Sequence, residues 1–70
     1  MILDVNSQLW RQIHYNIFKN CNDIPTTREH MENVLYTYNV KVQKSFEGRW
    51  EEIEIMLDNE DLTLFLLKYS

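Results

Sequence analysis

Residues 40–57 carry the feature that most limits how this chain can fold. On both sides of Glu47-Gly48 the apolar residues switch from helical spacing to strict alternation. Val40 and Val42 alternate with Lys41 and Gln43, while Ile53, Ile55 and Leu57 alternate with Glu52, Glu54 and Met56. A period of two marks strands with one face buried. With Glu47-Gly48 as the two-residue turn of a hairpin, facing positions sum to 95. Val42 then meets Ile53 and Val40 meets Ile55. Lys41 faces Glu54, Lys44 faces Glu51, and Trp50 faces Ser45. A one-residue slip would set valines against glutamates, so the register is well specified. The weak point is Glu47, which is less suited than Asn or Asp to a positive φ.

The flanking segments read as helices. Asn6 or Ser7 can cap a first helix over about 7–20. Leu9, Ile13, Ile17 and Cys21 form its apolar stripe, and Trp10, His14 and Phe18 form a second row beside it. The helix should end near Asn20–Asn22, before Asp23 and Pro25. "TTRE" offers Thr26 as a cap with Glu29 three residues on, a capping box for a second helix over about 27–37. Met31, Val34, Leu35 and Tyr38 follow its i, i+3, i+4, i+7 pattern. The last stretch, "DNEDLTLFLLKYS", can be drawn as a strand only if both its faces are buried. As a helix over about 59–69 it has Asp58 or Asn59 as cap. Glu60 and Asp61 then stand at the positive end of the dipole and Lys68 at the negative end. Leu62, Phe65, Leu66 and Tyr69 make its stripe. The helix is preferred, because leucine favours it and the preceding turn has no glycine. Leu64 and Leu67 lie off that stripe and need cover from the first helix or from another chain.

The expectation is a single α+β domain over residues 1–70, in the order α-α-β-β-α. A hairpin of about 40–46 and 50–57 is packed by three helices on one face. One Gly and one Pro leave little loop vocabulary. Chains this short bury small cores worth only about 3–5 kcal/mol, which makes docking or self-association unsurprising. Read from Met1 to Ser70, the chain looks like a complete small gene product with no signal peptide. No stretch reaches the roughly 20 apolar residues of a membrane span. A single cysteine excludes an internal disulfide and favours a reducing compartment, so a cytoplasmic location is expected.

The net charge of −4 is uneven. Residues 1–46 carry five basic and four acidic side chains, and residues 47–70 carry two and seven. Arg11, Lys19, Arg28, Lys41 and Lys44 are scattered rather than striped, which argues against nucleic-acid binding.

After a strand, the acidic residues Asp58–Asp61 lead into an apolar segment with Phe65 and Leu67 that closes on Lys68, Tyr69 and Ser70. This stretch of about thirteen residues resembles the C-terminus of small uncharacterised accessory proteins of cyanobacterial tailed phages. The resemblance implies a phage accessory protein that acts on a host component or contributes to the particle. It implies nothing catalytic.

Candidate chemistry is sparse. His14, His30 and Cys21 lack the short ligand pair that seeds a zinc site. Cys21 with His14 lacks the third group and the pocket that a nucleophile needs. No catalytic residue, metal or cofactor is therefore expected. Glu51, Glu52 and Glu54 read most simply as a solvated, charge-paired sheet face, and they are too few for mimicry of DNA. Trp50 is open to two placements. It can stand with Met56 on the uncovered sheet face as an interface anchor, or fold over the edge into the core. Trp10 and Phe18 can likewise belong to a wide core stripe or to a docking face. Nine aromatic residues are more than so small a domain readily buries. The expected function is a non-enzymatic protein-interaction module, phage-encoded, that modulates or inhibits a host protein. Its partner surface would be Trp50, Glu52, Glu54, Met56, Trp10 and Phe18. The alternative is a small, oligomeric structural or assembly protein of a virion.

Overall fold

The computed structural model describes residues 1–19, 21 and 24–70. Its elements run β1 (Ile2–Asp4), α1 (Gln8–Lys19), α2 (Arg28–Thr37), β2 (Val40–Lys44), β3 (Trp50–Ile55) and α3 (Asn59–Tyr69). The domain is α+β as expected, with one strand more than the sequence suggested. β1 pairs with β3 through Leu3↔Ile53, so the antiparallel sheet has three strands in the order β1-β3-β2. β3, the second strand of the hairpin, is therefore the centre of the sheet and not an edge.

The helices follow their periodicity. Ser7 caps α1, its Oγ accepting from the Trp10 N–H at 3.2 Å. Of the expected end of α1 near Asn20–Asn22, only Cys21 falls within the described residues; its N–H reaches the Phe18 carbonyl at 3.3 Å. The cap of α2 is Thr27, one residue later than expected: its hydroxyl accepts from the His30 N–H at 3.1 Å. Glu29 consequently sits one position too early for a capping box. Asp58 caps α3 by accepting from the Asp61 N–H at 2.9 Å, an arrangement worth about 1 kcal/mol. Asn39 joins α2 to β2 in the left-handed region, at φ 64°, a conformation that asparagine tolerates better than most residues.

The core lies between the sheet and the helices. Ile13 and Ile17 of α1, Leu35 of α2, Val40, Ile53 and Ile55 of the sheet, and Phe65 and Tyr69 of α3 are all buried. Tyr69 meets Tyr38 edge-on at 5.7 Å, and its carbonyl accepts from Asn16 Nδ2 at 2.6 Å, which ties the end of α3 to α1. Leu62 and Leu66 pack at the margin of this core. Leu64 and Leu67 do not: they are 61% and 77% exposed, and none of the described residues covers them.

Val42↔Ile53, Val40↔Ile55 and Lys41↔Glu54 pair as expected, but the turn end of the hairpin is built differently. The loop has three residues, not two. Ser45 and Arg49 close it, with Ser45 N–H to Arg49 O at 2.7 Å and Gly48 N–H to Ser45 O at 2.9 Å. Only Gly48 takes a positive φ, 84°, so Glu47 is spared. Ser45 and Gly48 are the residues a type I turn favours at its first and fourth positions. One extra residue, Glu51, then interrupts the ladder: Lys44 pairs with Trp50, and Gln43 with Glu52. This β-bulge corrects two expected pairs, Lys44 with Glu51 and Ser45 with Trp50. It also turns Trp50 to the helix side of the sheet.

Candidate functional site

The bulge decides between the two placements of Trp50. Its indole is half-buried against the core, and Nε1 donates to Glu32 Oε1 on α2 at 3.0 Å. Lys44, next to it in the ladder, reaches the other oxygen of the same carboxylate at 3.2 Å. Glu32 thus clamps the turn end of the hairpin to α2. A hydrogen bond to a charged group contributes about 1.5–3 kcal/mol when shielded from water, and less at this partly open position.

An open cleft of about 530 Å³ lies beside this clamp. Trp10, Arg11 and His14 of α1 form one wall, and Arg28 and Met31 at the start of α2 form another. Arg49 and Trp50 of the hairpin face them, and Val5, just after β1, completes the lining. All three arginines of the sequence and both of its tryptophans meet here. The three arginines are exposed, whereas Trp10 is only 3% exposed and serves as floor. Among the described residues no carboxylate lines the cleft. Carboxylates flank it instead. Asp4, Glu51 and Glu52 line an adjoining recess beyond Arg49, and Glu29 and Glu32 line another beyond Arg28.

His14 stands between the cleft and the core. Its ring lies 5.3 Å from that of Trp10, 4.8 Å from Phe18 and 6.5 Å from Trp50. Burial among these rings lowers its pKa below the ordinary 6.5, because a charged imidazole would lose hydration there. The second row of α1 is therefore mostly core, with His14 as its one titratable member.

The expected partner-binding residues do not form one surface. Trp50 and Trp10 belong to the cleft, on the helix side. Phe18 is half-buried one turn further along α1, against His14. Glu52, Glu54 and Met56 stand on the outer face of the sheet, where Glu54 accepts from Gln43 Nε2 at 3.3 Å. The arginines were the residues missed. They are far apart in sequence and lie on three different segments, so no spacing rule groups them. Among the described residues, no group of three or more His, Cys, Asp or Glu is placed to hold a metal ion, and no helix is long and apolar enough to cross a membrane. No family model matches the chain, and no curated protein or solved structure is significantly similar to it.

Proposed function

We propose that this chain is a non-enzymatic protein-interaction module that docks a partner through the arginine–tryptophan cleft. One observation carries the reading: every arginine and tryptophan in the sequence converges on a single opening. These residue types are enriched at the energetic centres of protein interfaces; here the exposed arginines supply the polar contacts, the half-buried Trp50 an aromatic wall and the buried Trp10 the floor. The C-terminal resemblance adds a setting, in which a phage-encoded protein modulates or inhibits a host protein in the host cytoplasm.

The test is affinity capture from a cyanobacterial lysate with three baits: the native chain, the variant Arg11→Glu/Arg28→Glu/Arg49→Glu, and the variant Leu64→Ser/Leu67→Ser. Circular dichroism first establishes that both variants are folded. A protein retained by the native chain and the leucine variant, but lost from the arginine variant, supports docking through the cleft. Equal retention by all three baits, or by none, ends this reading.

A second reading rests on its own observation. Leu64 and Leu67 project from α3 without cover, as a subunit of an oligomeric virion or assembly protein would require. Light scattering on the isolated chain tests it: an oligomer that the leucine variant dissolves supports it, and a monomer removes it.

A further inference from the structure

The cleft has a charge its surroundings lack. The chain as a whole carries −4, yet three guanidinium groups share the cleft with no carboxylate among its described lining residues. We infer that the cleft receives a short acidic segment of a partner protein, with Asp or Glu side chains set around an apolar one. The inference rests on the interaction-module reading above and names the chemistry of what docks.

Guanidinium is the cation suited to this task, because its planar fork meets a carboxylate in two parallel hydrogen bonds. Besides the three arginines and His14, the lining is apolar, from Val5, Met31, Trp10 and Trp50. An occupant that satisfies both parts carries anionic groups for the arginines and a hydrophobic side chain for the apolar lining. The volume of about 530 Å³ matches a short stretch of chain rather than a folded surface.

The flanks set the length. Asp4, Glu51 and Glu52 lie beyond Arg49, and Glu29 and Glu32 beyond Arg28. A segment whose negative charge ends within the cleft avoids them. A nucleic acid does not, because its phosphates recur all along the strand and would run on over those carboxylates. Single-strand binding also needs open aromatic faces for bases to stack on. Here Trp10 is 3% exposed, and the Trp50 ring is held by its bond to Glu32.

Both tryptophans line the cleft, so intrinsic fluorescence reports its occupancy without a label. The probes are the end-blocked peptide Gly-Glu-Asp-Leu-Phe-Glu-Asp-Gly, its isosteric Gln/Asn counterpart, and an oligothymidylate of matching contour length. Each is titrated at low salt into the native chain and into Arg11→Gln/Arg28→Gln/Arg49→Gln. The expected result is binding of the acidic peptide at least about tenfold tighter than its amide counterpart, with that preference abolished in the arginine variant. Equal binding of the two peptides, or none of either, overturns the inference. If a partner is still captured through the cleft in the lysate experiment, the interaction module survives that failure. Tighter binding of the oligothymidylate overturns both. Self-association that competes with the peptide and disappears in the arginine variant makes a second copy of this chain the occupant, which also overturns the inference.

Discussion

At the end of the hairpin nearest Asn39, the two strands pair without interruption, and Val40, Val42, Ile53 and Ile55 turn their side chains toward the core. At the end nearest the turn, the same two strands carry a three-residue loop and a bulge. There Lys44 and Trp50 reach across to Glu32, and Arg49 lines the cleft. The regular end is a hydrophobic wall. The irregular end is where polar and aromatic groups are aimed. An uninterrupted ladder would have put Trp50 on the outer face and a carboxylate, Glu51, toward the helices. One inserted residue turns Trp50 to the helix side, and that gives the cleft its tryptophan edge, while Glu51 lines the adjoining recess.

This division of labour can be broken experimentally, beginning at the regular end. Ile53→Ala empties a fully buried position and should lower stability by about 3 kcal/mol, most of what so small a domain has. Urea denaturation followed by circular dichroism measures the loss. Trp50→Phe at the irregular end keeps an aromatic ring but removes the N–H that Glu32 accepts. The expected cost is smaller, about 1 kcal/mol, because the bond is partly open to water. If Trp50→Phe proves the more damaging of the two, the turn end is the stronger half and the contrast is reversed.

The next effect is a slope rather than a drop. The folded state holds the pKa of His14 below 6.5, so at intermediate pH the unfolded chain binds a proton that the folded chain does not. The stability that neutral His14 confers is fully present above about 6.5. It falls away as the pH drops from there toward the lowered folded value. Unfolding free energies measured across this window should decline with falling pH in the native chain, and less so in His14→Gln. Parallel profiles would mean that the aromatic surroundings of His14 do not disfavour its charge. The smallest change expected is that of Lys44→Ala. It removes one half-exposed ion pair to Glu32 and should cost no more than about 0.5 kcal/mol, with the difference shrinking as salt is added.

The parts of this structure that were legible in the sequence are those with enough residues to show a period. α1, α3 and the core pairs of the hairpin each repeat their pattern several times, and of the two caps the sequence offered for α3, Asp58 and Asn59, the structure uses Asp58. The register of the hairpin came out right from Gln43 to Val40, although its turn and the two pairs beside it did not. The loop has one residue more than the assumed turn, which lowers the pairing sum by one, and the bulge at Glu51 raises it again. Two local departures cancel beyond Gln43, and alternation alone cannot detect either of them. β1 was missed because three residues hold barely one cycle of alternation, and its partner lies far along the chain. The cleft was illegible for a different reason. Arg11, Arg28 and Arg49 become neighbours only when α1, α2 and the hairpin pack together.

The position of β1 in the sheet also bears on the order in which the fold can form. β2 and β3 meet across a three-residue loop, so they can pair early at little entropic cost. Leu3 and Ile53 are fifty residues apart, and their pairing closes a loop whose entropy penalty grows with the logarithm of its length. β1 is therefore the strand to expect last on the folding pathway, arriving on a hairpin already formed. Val5 follows directly after it and lines the cleft, so the site is complete only once that final strand has docked.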